Sequence, residues 1–238
     1  MKANGEWTEL LTELALQQQC LDMTNGAWIG AYRARGGVIH CSRGCHNCCS
    51  LTVNCTLTEA VALAEALDEA QLAAVAAYAI RLREQLSTVT TMKEYLRMQR
   101  QEMGMCPLLS ENGACGAYGA RPLSCRALLS TKEGYWCGVD FATLPAAEKE
   151  SYGASLDRSV TSFPLHYVAT AQESAREFEL RQLTHMQERS GYAVYGCMPV
   201  LVFLVQSHAL AGAGSRERAE QIARQAGFDS QLLVSWLP

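Results

Sequence analysis

Eleven cysteines punctuate this 238-residue chain, and four of them, Cys41, Cys45, Cys48 and Cys49, fall within the stretch CSRGCHNCC. A second burst, CPLLSENGACGAYGARPLSCR, adds Cys106, Cys115 and Cys125. Thiolates hold soft or borderline cations, zinc and the irons of iron–sulfur clusters above all. The two-residue gap between Cys45 and Cys48 lets neighbouring sulfurs converge on one ion while backbone amides donate to them. Seven thiols exceed what one tetrahedral zinc can use, and adjacent Cys48 and Cys49 point different ways. Either some thiols stand outside the metal or the centre is polynuclear. A four-iron cluster also takes four thiolates, but its larger cube accepts them from more widely separated directions, which favours 4Fe–4S over zinc.

The remaining cysteines divide differently. Cys20 and Cys197 stand alone, outside the bursts, and read as small core residues. Cys55 and Cys137 lie near the two bursts, and Cys137, beside Trp136, could serve as a late ligand. His46 sits inside the first burst and His40 just before it, and both read as solvated loop residues. His166, His185 and His208 fall on expected helices at no ligand spacing and read as structural. No Ser-His-Asp arrangement, phosphate loop or dinucleotide fingerprint is present. The C-x3-C-x2-C spacing of Cys41, Cys45 and Cys48 is also that of radical S-adenosylmethionine enzymes. Those are built on a β/α barrel with an aromatic residue before the third cysteine; here Asn47 stands there and helix follows helix.

Composition narrows the setting. Apolar residues make up 49% of the chain and charged residues 18%, as in a globular protein with a full core. The net charge of −4 and the absence of a basic stripe leave a nucleic-acid partner without electrostatic support. The N-terminal segment MKANGEWTELLTELALQQQ mixes acids and glutamines with apolar residues, unlike a signal peptide. The longest apolar run, 192–214, contains Pro199, Gln206 and His208 and reads as a buried helix rather than a membrane span. Disulfides do not persist in a reducing cytosol, so clustered thiols without an export signal point to a cytoplasmic metal-binding or redox protein.

The elements that must position these thiols are mainly helical. Residues 7–21 place Trp7, Leu10, Leu11, Leu14 and Leu21 on one face. TLTE at 56–59 is a capping box that opens a helix to about Leu67, with a restart at Asp68. Leu72, Val75, Ala76, Ala79, Ile80 and Leu86 form the next stripe, and TMKE at 91–94 opens a helix whose inner face is expected to be Met92, Tyr95, Leu96 and Met103. A long helix is expected from beyond 165 to about Arg189, an apolar segment near 197–212, and a last helix from Ser215 to Gly227. Only GVIH and SLTV carry a strand signal. Residues 104–165 lack periodicity and read as irregular chain shaped by something other than a hydrophobic stripe. The expectation is one mainly α domain over 1–238, with a metal-binding core at 41–126 and a helical part at 127–238.

Taken together, CSRGCHNCC, the helix TLTEAVALAEAL and the CPLLSENGACGAYGARPLSCR segment resemble the YkgJ-type cysteine-cluster family, a zinc- or iron-chelating domain with a CxxCxxCC signature. The match includes Pro107, Tyr118, Arg121, Pro122 and Arg126, although the first gap here is three residues rather than two. The resemblance implies metal binding. By analogy with the flagellin lysine methylase, which carries a similar cysteine domain, it permits action on a protein or peptide. Beside the thiols, Arg121 and Arg126 are expected to offer fixed positive charge to a thiolate-rich centre, Tyr118 to pack or to donate to sulfur, and Pro107 and Pro122 to set loop shape.

Overall fold

The computed structural model describes residues 5–42 and 44–237. Residues 1–4 of the N-terminal segment, Arg43 of the first burst and Pro238 lie outside the described residues. The described chain is mainly α: ten α-helices and a three-stranded antiparallel sheet. The helix α1 spans Gly5–Ala34, followed by β1 (Asn54–Thr56), α2 (Leu57–Ala66), α3 (Glu69–Gln85) and α4 (Met92–Met98). Three short helices, α5 (Leu123–Arg126), α6 (Gly134–Gly138) and α7 (Ala146–Ala154), punctuate the irregular stretch. The chain then runs through α8 (Ala169–Ser190), β2 (Ala193–Cys197), α9 (Met198–His208), α10 (Arg216–Gln225) and β3 (Val234–Leu237).

Local chemistry accounts for most of the helix starts. Three capping boxes, Thr56 with Glu59, Asp68 with Gln71 and Thr91 with Glu94, open α2, α3 and α4, each satisfying two backbone amides that the first turn would otherwise orphan. Ser215 caps α10 through the Arg218 amide, and α8 ends on Gly191 in the left-handed region. Pro199 does not interrupt the apolar run. It sits in the first turn of α9, where its missing N–H costs nothing, and every residue from Met198 to Val205 is buried.

Helix α9 is the centre of the main core, packed between α2 and α3, with Leu201, Leu204, Leu57, Leu63, Val75 and Leu82 fully enclosed. A smaller apolar cluster joins Leu14 and Leu21 of α1, Leu123 of α5 and Val168, Ala171 and Ala175 beside or on α8. It supports the chain that carries the second cysteine burst.

Several expectations are corrected. The inner face of α3 is Val75, Ala79 and Leu82, while Ile80 is exposed, because the stripe advances by four and then three residues past it. In α4 the inward residues are Tyr95 and Met98, whereas Met92 and Leu96 lie exposed; a wider π-type turn at Gln99–Met103 then brings Met103 back inside. GVIH and SLTV form no strand. The three strands pair across long sequence distances, Cys55 opposite Gly196 and Tyr195 opposite Ser235, and Gly196 is required because a Cβ there would run into the Leu233 carbonyl. Among the described residues no helix is long and apolar enough to cross a membrane. The sheet is antiparallel and not the β/α barrel of radical enzymes.

Candidate metal centre

The first burst is held in place by backbone bonds from three directions. Cys41 lies in extended chain beside the segment after α5: His40 N–H donates to Ser130 O at 3.0 Å, Ser130 N–H donates to Cys41 Sγ at 3.1 Å, and the Cys41 thiol approaches Leu128 O at 3.4 Å. Cys48 and Cys49 occupy one 3-10 turn, Asn47–Ser50, closed by Cys49 N–H to His46 O at 2.8 Å and Leu51 N–H to Cys48 O at 3.0 Å. Helix α6 packs against that turn at Gly134: a Cβ there would collide with the Asn47 side chain and lie 3.8 Å from Cys45 Sγ. A larger residue there would push the Asn47 side chain aside.

The second burst is a folded loop followed by α5. Leu109 bridges antiparallel to Cys115, Ser110 N–H donates to Ala114 O at 2.9 Å, and Gly113 takes the positive φ of 78° that the reversal needs. The two bursts touch directly, since Cys106 N–H donates to Cys49 O at 2.8 Å. Cys125 rides on α5, which is seated by Leu123 N–H to Glu59 Oε1 at 2.7 Å and by the Ser124 hydroxyl to Asn54 O at 2.9 Å. Glu59 therefore does two things: its other oxygen accepts Thr56 N–H at 2.7 Å to close the α2 cap. The capping pattern predicted the second bond but not the first, which joins residues 64 apart.

Electrostatics in the group favours protonated thiols. Burial pushes Cys41 up to about 11, opposed by the Ser130 amide and helped by Cys137, Cys45 and Cys48. The hydrogen bond with Cys49, and then burial, drive Cys48 far above the usual thiol range. Burial, then Cys106 and Cys48, do the same to Cys125, while burial raises Cys106 to about 11. Arg121 works against this at both Cys48 and Cys125, favouring the thiolate.

The three residues expected to attend the metal behave differently from one another. Arg121 lies flat over the Tyr118 ring, 3.6 Å from its centroid, with Nε donating to Tyr118 O at 3.1 Å. Tyr118 is 58% exposed, so it does not pack in the core. Arg126 is buried and donates to Asp22 of α1 and to the carbonyls of Gly119 and Arg121, while nearby Cys125 favours its charge. Its work in the structure is to lock the 118–126 loop onto α1.

The other cysteines and histidines sort by burial. Cys20 is exposed, contrary to its expected place in the core. Cys55 and Cys197 are buried in and beside the sheet, and His46 holds only Gly44 O at 3.1 Å. His166 is the residue that the sequence misplaced. It is not on a helix but in the loop before α8, 3% exposed, with Nε2 at 3.3 Å from Cys137 Sγ and Nδ1 at 2.9 Å from the Tyr152 hydroxyl. Burial, with Lys132 adding to it, depresses its pKa to about 4, so the ring is neutral. Its signal in the sequence was weak because His166 and Cys137 are 29 residues apart in unpatterned chain.

Among the described residues no three His, Cys, Asp or Glu side chains already form a metal-holding group. The donor set nevertheless suits a thiophilic ion. It offers sulfur from separate loops around one turn, half buried, with a guanidinium biasing two of them towards the charge that ligation requires. Residues 40–140 match the model of the family CxxCxxCC, described as "Putative zinc- or iron-chelating domain". Comparison with curated proteins and with solved structures returned no match. The matched stretch begins one residue before Cys41 and ends beyond α6, so it takes in both bursts and Cys137. The segment 40–140 of this chain is thus similar to the CxxCxxCC family of zinc- or iron-chelating domains.

Proposed function

We propose that the chain is a single-domain cytoplasmic metalloprotein in which Cys41, Cys45, Cys48, Cys49, Cys106, Cys115 and Cys125 supply the ligands of a zinc or iron centre, 4Fe–4S being favoured. The observation that carries this reading is the direct junction of the bursts, Cys106 N–H to Cys49 O at 2.8 Å, which brings two loops from far apart in sequence to one turn. The centre would supply cross-linking of chain that has no hydrophobic stripe of its own. Residues 104–140 hold their course through turns, Glu59 and the edge of the first burst, with single buried side chains such as Leu108 and Leu123 as anchors. A protein or peptide as partner rests on the family resemblance alone.

The test is the metal content and visible spectrum of anaerobically purified protein. Iron with acid-labile sulfide and broad visible absorption supports the cluster; stoichiometric zinc in a colourless sample replaces it with zinc; absence of both metals refutes the reading. Cys48→Ser and Cys125→Ser are each expected to lose metal and Cys20→Ser to keep it. Full occupancy in Cys125→Ser would sink the two-burst site.

A further inference from the structure

Helix α1 packs on α8, α2 and α5, yet between Glu13 and Arg33 its sequence carries a single charge, Asp22, and Arg126 already holds that carboxylate. A helix face left to water normally carries charged side chains. Here the outward line is Leu16, Cys20, Met23, Ala27 and Gly30, all of them exposed, Leu16 to 62% and Met23 to 68%. Steps of four, three, four and three residues keep one line of a helix facing a second helix packed alongside it at a small crossing angle. Two open grooves, about 530 and 470 Å³ in volume, run beside the line, meet at Ala15 and Gln19 and end against Gly119 and Arg126.

The order of residues along the line says which helix fits. Its first half is bulky, with Leu16 and Met23, and its second half is small, with Gly26, Ala27 and Gly30; a Cβ added at Gly26 or Gly30 would meet nothing within 4 Å. A second α1 laid antiparallel about Met23 sets its Leu16 over the open space at Gly30, and two-fold symmetry repeats the contact at the other end. Charge runs the same way. Upstream the line continues through Glu13 and Glu9, and downstream exposed Arg33 and Arg35 flank its end. Glu13 is bonded to His185 and Gln17, and a carboxylate has room for a further donor. An antiparallel copy brings Arg33 of one helix to Glu13 of the other, twice, whereas a parallel copy sets arginine against arginine.

We propose that this face of α1 seats a second copy of the chain, the two α1 helices lying antiparallel about a two-fold axis at Met23. The dimer covers the uncharged line and both grooves, and it leaves the cysteine bursts to each chain.

The test is sedimentation velocity and native mass spectrometry of the full-length chain under reducing conditions, which keep Cys20 from forming a disulfide. The wild type is expected to be a dimer. Met23→Lys and Met23→Glu each set like charges against one another at the axis and should be monomers with unchanged circular dichroism, while an equimolar mixture of the two should form the heterodimer. Arg33→Glu should weaken the dimer roughly tenfold, because it sets acid against Glu13 twice. A wild type that stays monomeric, or a dimer that survives Met23→Lys, overturns the proposal. Failure of the mixture to pair overturns the axis at Met23, and full affinity in Arg33→Glu overturns the antiparallel direction.

Discussion

Replacing Glu59 by alanine is expected to separate the capping of a helix from the seating of a cysteine. The carboxylate is 2% exposed and accepts two backbone N–H groups, Thr56 at one oxygen and Leu123 at the other. Alanine leaves both donors buried without partners, at about 1–3 kcal/mol each, so the variant should lose about 2–6 kcal/mol. For a chain of this length each kcal/mol is worth roughly 2–4 °C in Tm, which puts the fall at roughly 4–24 °C. Thr56→Ala is the control. It removes only the hydroxyl that accepts the Glu59 amide at 3.2 Å, costing about 1 kcal/mol and leaving α5 in place. Because Leu123 stands two residues before Cys125, Glu59→Ala should also weaken metal binding roughly 10–100-fold, and Thr56→Ala should not. Calorimetry on the two variants with zinc titration supplies both numbers. Equal Tm and equal zinc affinity in the two would show that the Leu123 bond does not seat the cysteine.

Two further outcomes follow from the core. Burial, with Glu59 nearby, raises the Glu179 carboxyl to about 8 from an ordinary 4.5, opposed by the Tyr195 hydroxyl and Arg176, with the buried Cys55 also facing it, and no donor reaches its Oε1. The folded state therefore holds this proton where the unfolded chain has lost it. Stability from this group is full below pH 4.5 and declines as pH rises to 8, by up to about 1.4 kcal/mol per unit. Glu179→Gln should flatten that slope in urea unfolding across the window, and an unchanged slope would assign it to another group. Leu204→Ala, at the fully buried centre of α9, should cost about 2–5 kcal/mol, read as a drop in the urea midpoint at constant slope. A loss under 1 kcal/mol would mean that the core closes over the cavity.

Short-range patterns were legible in the chain as written. Thr56 and Glu59, Asp68 and its restart, Thr91 and Glu94, Ser215 and Gly227 act within four residues of themselves, and the structure puts each at the helix boundary its chemistry implies. The cysteine bursts and their similarity to a chelating family were likewise readable, since residue type and spacing carry them. Faces were less secure. Ile80 and Leu96 are apolar and within one residue of the buried stripe, and only the neighbours that α3 and α4 meet decide which of two adjacent positions turns inward. Strand pairing escaped because three- to five-residue strands have too little local pattern, and their partners lie far along the chain.

The site divides the same way. Residue types alone determined that this chain concentrates thiols for a soft cation, because that preference belongs to sulfur wherever it is placed. Only the tertiary structure decided that Arg126 ties the 118–126 loop to Asp22 of α1, that Tyr118 faces solvent, and that Cys137 and His166 meet beside the first burst. Those contacts join residues that no helical or strand period relates. They exist because α1 packs on α5 and α6 on the Asn47–Ser50 turn, and packing on that scale is a property of the whole core.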